Sequence, residues 1–180
     1  NIILISTIDV YNNKDSLNNE DFVNHNEIFD LSYGQNRKFF EKTIKKISDN
    51  YHIIRLPGLF GSGLKKNIIY DLKNNNMVEK ISLNTHYQWF NLEKLYYYID
   101  IIIKENIKEI NLFNEPISTH EIVENIFPNK LKLCTGSSVF RYNLTTKYAS
   151  YFNSNCESLY IEGAESILEQ IKIYIGEDKC

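Results

Sequence analysis

One hundred and eighty residues, 43% of them hydrophobic, are enough to bury a sizeable core. A formal net charge of −3, with lysines scattered among acids, excludes a nucleic-acid partner gripped through its phosphates, and no run reaches the ~18 apolar residues of a membrane span. Cys134, Cys156 and Cys180 lack C-x-x-C spacing, so they give neither a disulfide framework nor a zinc site and read as reduced thiols of a cytoplasmic protein.

In chain order, Ile2-Ile3-Leu4-Ile5-Ser6 is the continuous apolar run of a parallel strand covered on both faces, ending at Thr7. Residues 12–32 are polar and turn-rich, an excursion long enough to shape access to a site. A helix is predicted from Tyr33 to Ser48, with Phe40, Ile44 and Ile47 on its inward side. Tyr33 and Arg37 stand one turn apart on one face. Glu41 extends that face, and its plainest role is a surface ion pair with Arg37 or Lys45. Tyr51 to Leu56 is the next strand, closing a strand–helix–strand unit of right-handed sense that stops at Pro57-Gly58. Ligands of open α/β sheets bind beyond the carboxyl ends of the strands, where Thr7 and Pro57 both fall. A fixed cation beside a phenol favours its ionised form, so Tyr33, Arg37 and the Thr7 hydroxyl form a candidate proton-transfer set.

Beyond Gly63 the pattern changes. Lys65 to Asn74 reads as a short helix closed by Asn74-Asn75-Asn76, and residues 77–90 as short strands and loops. Leu92, Leu95, Tyr96, Ile99, Ile102 and Ile103 form an amphipathic stripe with Asn91 as its cap. A strand is expected over Ile110 to Phe113. Ser118-Thr119-His120-Glu121 is a capping box opening a helix that ends before Pro128. Further expectations are a strand over Lys130 to Cys134, a short helix over Leu144 to Phe152, and a last helix from Ala164 to Ile175. Trp89 is read as core. His25, His52, His86 and His120 show no ligand spacing and are read as structural or exposed.

Three segments carry a family resemblance: Ser6-Thr7-Ile8-Asp9-Val10-Tyr11, then Tyr33 to Arg37, then Arg55-Leu56-Pro57-Gly58-Leu59-Phe60-Gly61. Across roughly residues 1–127 the chain resembles the extended short-chain dehydrogenase/reductase family of NAD-dependent epimerases, dehydratases and reductases of nucleotide sugars. That family carries S-T/S-x-x-V-Y, then Y-x-x-x-K, then R-x-P-x-x-x-G. Two departures stand out. Arg37 holds the catalytic lysine's place, and no G-x-G-x-x-G phosphate turn occurs.

The resemblance implies an α/β fold, the carboxyl-terminal part of a Rossmann-like parallel sheet plus a small mixed α/β substrate lobe. Residues 1–60 would hold the last strands and catalytic helix of the dinucleotide-binding domain. Residues 61–180 would form the substrate-binding lobe, interleaved with final sheet elements. The expected whole is longer by on the order of 100 upstream residues, and the chain alone is expected to be inactive. The resemblance also implies NAD or NADP as cofactor, most of whose site would lie upstream, and a nucleotide-sugar substrate. A homodimer through the Tyr33 helix is a further implication.

By the same resemblance Thr7 binds the substrate oxygen, Tyr33 exchanges its proton, and Arg37 supplies charge and holds the nicotinamide ribose. Pro57, Gly58 and Leu59 flank the nicotinamide ring, while Asn67, Tyr87 and Gln88 contact substrate. Tyr87 stands where relatives carry the arginine that grips the diphosphate, which leaves Arg141 or Lys65 and Lys66 for that task. The family's dehydratases carry T-D-E. Thr7-Ile8-Asp9 lacks the first carboxylate, which disfavours dehydration and leaves 4-keto reduction or epimerisation. The alternative is a catalytically impaired relative acting as a binding or regulatory module.

Overall fold

The computed structural model describes residues 1–23, 32–153 and 157–177; His25, Cys156 and Cys180 lie outside them. In chain order the elements are β1 (Ile2–Thr7), α1 (Tyr33–Ile47), β2 (Tyr51–Leu56), β3 (Gly58–Phe60), α2 (Ile68–Asn74), β4 (His86–Tyr87), β5 (Trp89–Asn91), α3 (Leu95–Lys104), β6 (Glu109–Asn111), β7 (Ile117–Ser118), α4 (Thr119–Ile126) and α5 (Ala164–Glu177). The main sheet is parallel, in the order β1-β2-β6. Its register runs from Ile2 opposite Tyr51 to Thr7 opposite Leu56, which brings both strands to an end at the same level. β3 pairs in parallel with β5, and β4 pairs antiparallel with β7.

Local chemistry fixes the element ends. The Asn67 side-chain oxygen accepts from the N–H groups of Ile69 and Tyr70 at 3.0 and 3.3 Å and starts α2, which closes on Asn75 in the left-handed region at φ 54°. Asn91 caps a 3-10 turn over Leu92–Lys94 that leads into α3. Ser118 and Glu121 bond each other's backbone in a reciprocal capping box at α4.

Three apolar clusters fill the interior. One joins β2, β6 and α3 through Ile54, Leu56, Tyr98, Ile102 and Ile110, with Phe90 of β5. A second gathers Trp89 with α2, α4 and α5. A third holds Ile8, Val10 and Tyr11 against Phe113 and Leu144. Residues 12–23 are fastened across this last cluster by Glu20. Its buried carboxylate accepts from the Asn111 N–H (2.7 Å), the Thr146 hydroxyl (2.6 Å) and the Lys147 N–H (3.0 Å).

Several expectations are corrected. β1 is not covered on both faces: Ile3 and Ile5 share one face of the strand and Ile3 is 40% exposed, while α1 packs on β1. The inward side of α1 is polar. Gly34, Gln35, Lys38 and Glu41 are buried, whereas Phe40 is 52% exposed and Ile47 is exposed too. Glu41 makes no surface pair; it is fully buried and bonded to Arg55. Lys130 to Cys134 is not a strand but a 3-10 turn (Pro128–Lys130) followed by a tight turn. Only Ala149–Tyr151 turns helically within residues 144–152. The short strand comes one residue early, over Glu109–Asn111.

Candidate active site

Thr7 closes β1 and starts a 3-10 turn over Ile8–Val10, accepting from the Asp9 N–H at 3.2 Å. Its hydroxyl donates to Asp9 Oδ2 at 3.3 Å, and Lys14 pairs with the same carboxylate at 3.2 Å. The first turn of α1 packs directly on this turn. A Cβ on Gly34 would overlap the Asp9 carbonyl oxygen, so only glycine permits the approach. Tyr33, the residue before it, is thereby held beside the end of β1, with its ring 57% exposed. Arg37 lies over that ring, its guanidinium carbon 5.3 Å from the centroid. Pro57 follows Leu56, the register partner of Thr7. A Cβ on Gly58 would stand 3.0 Å from Trp89 ring carbons, a contact tight enough that the indole would have to shift. Thr7 and Pro57 thus lie at the same end of the parallel strands, and Tyr33 and Arg37 share one face of α1, whose first turn packs on the turn after Thr7.

Beneath them runs a charged network within the interior. Arg55 Nε and Nη2 donate to Glu41 at 2.9 and 2.7 Å, and Ser6 donates to Glu41 at 2.5 Å. Arg55 also reaches Glu109 at 2.6 Å, and Lys45 pairs with that carboxylate from outside. Burial opposes the Arg55 charge, but the Glu41 bonds outweigh it and hold the guanidinium protonated. Burial would likewise raise Glu109, yet the bonds from Lys45 and Arg55 keep its carboxyl below the usual range. Sequence offered one signal for this network: an arginine set between Ile54 and Leu56 in a strand needs a carboxylate within reach if it is buried. Lys38, 1% exposed, is a second buried cation on α1. Its Nζ lies 3.3 Å from Asn12 Oδ1 in a cavity also lined by Tyr11, Asn13, Asn18 and Phe22.

Of the predicted substrate residues, Asn67 and Gln88 adjoin Leu59 and Gly58 through the backbone, the Gly58 N–H donating to the Gln88 carbonyl at 3.1 Å. Asn67 spends its side chain on the α2 cap and on the Leu59 carbonyl, which accepts from it at 2.7 Å. Gln88 is fully buried. It donates to the Asn114 and Leu144 carbonyls and accepts from the Leu144 N–H, a bracket for the backbone. Trp89 is core. Tyr87 is half-buried among Trp89, Phe140 and Tyr142, with centroids at 5.4, 5.1 and 5.7 Å.

The segment bearing Arg141 runs alongside β4: the His86 N–H donates to the Phe140 carbonyl and the Tyr142 N–H to the His86 carbonyl, each at 3.0 Å. Arg141 and His86 share an open-sided cavity of about 250 Å³ with Asp15, Glu115, Asn143 and Tyr160. Lys65 and Lys66 line no part of it. His52 is buried with Nδ1 2.7 Å from the Ile107 carbonyl, and His120 lies at the surface near Glu124. Among the described residues no cluster of His, Cys, Asp or Glu is built to hold a metal ion, and no helix is long and apolar enough to cross a membrane.

A parallel β1-β2-β6 sheet with α1 crossing between β1 and β2 makes an α/β fold of Rossmann type. The solved structures that the chain matches carry that fold. It aligns over 99% of its length with a dTDP-4-dehydrorhamnose reductase from Clostridium acetobutylicum, at 18% identity and TM-score 0.65, covering 66% of that chain. A UDP-glucuronic acid 4-epimerase from Bacillus cereus, solved with NAD, matches over 98% of this chain and 60% of its own, at 16% identity and TM-score 0.67. A dTDP-glucose 4,6-dehydratase from Bacillus anthracis, also with NAD, matches over 98% and 61%, at 13% identity and TM-score 0.64. At these identities the likeness is one of fold, and the chain spans about 60–66% of the length of these structures. No family model and no curated protein matches the sequence.

The residues present fit one end of a nicotinamide dinucleotide. Tyr33 is exposed and Arg37 lies over its ring, donors of the kind that bond a ribose. The sequence holds no glycine-rich turn for the pyrophosphate.

Proposed function

We propose that the chain belongs to an NAD(P)-dependent nucleotide-sugar 4-ketoreductase or epimerase of the extended short-chain dehydrogenase/reductase type. The observation that supports this reading is the close packing of Gly34 on Asp9, which brings the first turn of α1 against the turn that follows Thr7 at the carboxyl end of β1. In the proposed reaction Tyr33 gives its phenolic proton to the sugar oxygen as a ketone becomes a hydroxyl, and takes it back in the reverse direction. Thr7 turns its hydroxyl from Asp9 to the same oxygen. Arg37 holds positive charge beside the phenolate; being protonated at all ordinary pH, it stabilises charge without relaying a proton. Bound NAD(P) supplies or accepts the hydride. Pro57, Gly58 and Leu59 flank its nicotinamide, and Arg37 faces its ribose.

In the second lobe Arg141 takes the diphosphate in the arginine's stead, since it faces a cavity beside Tyr87 while Lys65 and Lys66 do not. Tyr87 borders the same substrate. Asn67 and Gln88 shape that region through the backbone they hold.

A second reading, a catalytically impaired relative serving as a binding module, draws on the stacking of Arg37 over the Tyr33 ring in place of a lysine. One experiment separates them. NADH and NADPH absorbance is followed with a panel of 4-keto nucleotide sugars, using the protein with any upstream residues its gene encodes. Turnover that falls by about 10²-fold or more in Tyr33→Phe supports the enzyme. Turnover that appears only in Arg37→Lys supports the binding module, and turnover indifferent to Tyr33→Phe overturns the role given to that residue.

A further inference from the structure

His86 and Arg141 are 55 positions apart in sequence, yet Arg141 Nη2 lies 3.5 Å from His86 Nε2 at the wall of the second-lobe cavity. A guanidinium only donates. While the imidazole is neutral, Nε2 must face Arg141 as an acceptor, so the ring proton belongs on Nδ1. That nitrogen is buried and has no hydrogen-bond partner among the described residues. The neutral ring therefore keeps its proton where nothing accepts it. A protonated ring would place a second N–H on Nε2, pointing at another donor, and two facing donors need an acceptor between them. An anionic oxygen meets that requirement.

We propose that His86 makes oxyanion binding in this cavity proton-coupled: the ring takes up a proton from solvent as a diphosphate oxygen seats between Nε2 and Arg141. This rests on the nucleotide-sugar reading for the identity of the ligand. Groups from every neighbouring segment bear on the ring. Burial and then Arg141 hold the free imidazole below its ordinary range, while Glu121 of α4 and Asp15 of the 12–23 segment pull the other way. Glu115, Tyr142 and Tyr160 complete the lining. One Glu115 oxygen is occupied by the Ala164 N–H at 3.0 Å. The empty site thus favours a neutral ring, and added negative charge favours the imidazolium. Binding should be tightest at low pH and weaken as pH rises through the titration of the liganded ring.

The test is calorimetric titration of the chain with UDP-glucose, whose diphosphate diester does not titrate near neutrality, in two buffers of different ionisation enthalpy. The expected result is uptake of a large fraction of one proton per ligand, with affinity falling about tenfold for each unit the ring's titration is displaced. His86→Gln should bind without proton uptake and with a flat pH profile. In the unmodified chain, saturating ligand should move the His86 ring titration followed by NMR upward by about one unit or more, a readout that does not depend on a variant's folding. Binding with no proton uptake and an unmoved ring overturns the proposal and leaves the nucleotide-sugar reading standing. Absence of binding at millimolar UDP-glucose overturns both.

Discussion

Glu41 and Arg55 show how a single buried pair can govern a site it does not enter. Both side chains are fully removed from water, so neither charge is tolerable without the other. Glu41 comes from α1 and Arg55 from near the carboxyl end of β2, with Ser6 of β1 bonded to the same carboxylate. The three elements that carry Tyr33, Pro57 and Thr7 are therefore cross-tied just below those residues. Replacing Glu41 with Gln should cost about 3 kcal/mol, at the lower end for a broken buried pair because Glu109 still faces Arg55. Urea denaturation would measure it. A variant as stable as the parent would mean that the pair sets geometry without contributing stability.

At the level of the element, α1 is positioned by what it lacks. Its fifteen residues put glycine at the second position, where the helix meets the Asp9 carbonyl. Elsewhere in a helix, alanine in place of glycine would help by up to ~1 kcal/mol. Here the added methyl overlaps backbone that cannot rotate away, so the first turn must move outward. Gly34→Ala should destabilise by about 1–3 kcal/mol, and should lower turnover further by drawing Tyr33 away from Thr7. Thermal unfolding and the reductase assay report the two effects separately. An alanine variant that unfolds at or above the parent temperature would rule out the close approach.

At the scale of the whole molecule, the described sheet has three strands, and β1 leaves one side of its backbone unpaired with Ile3 and Ile5 turned outward. The second lobe, by contrast, has its own core around Trp89 and is joined to the sheet through Phe90 and the β3–β5 pair. The cavity of Arg141 and His86 opens where the 12–23 segment meets this second cluster, since Asp15 is part of its lining. Lacking a glycine-rich turn at a helix start, the chain should hold NADH more weakly than micromolar, since pyrophosphate contacts supply much of such a site. Fluorescence titration of the 180-residue chain with NADH checks this, and micromolar or tighter binding would contradict it.

Local signals were legible in the sequence because their causes are local. The Ser118–Glu121 capping box, the Asn91 cap and the halt of β2 at Pro57-Gly58 each depend on residues a few positions apart. The spacing of Tyr33 and Arg37 likewise fixed their shared face. The α3 stripe was legible only in part: Ile102 is buried, but Tyr96 is 82% exposed and Ile103 is exposed, while Tyr98, outside the stripe, is buried because it packs on Phe90 and Phe152. The inward side of α1 was misread because periodicity assigns apolar residues to the core, whereas here Arg55 and Ser6 arrive from two strands to satisfy Glu41. Asn67 and Gln88 carried the right chemistry for a ligand, but folded backbone reached their amides first. Glu20 fastening the 12–23 segment, Lys38 within its cavity and His86 beside Arg141 had no spacing to reveal them, since their partners lie from 26 to 127 positions away. The sequence by itself determined which elements form and where they stop, through caps, turns and period; the tertiary structure decided which polar groups are buried together, because that depends on long-range pairing no local pattern encodes.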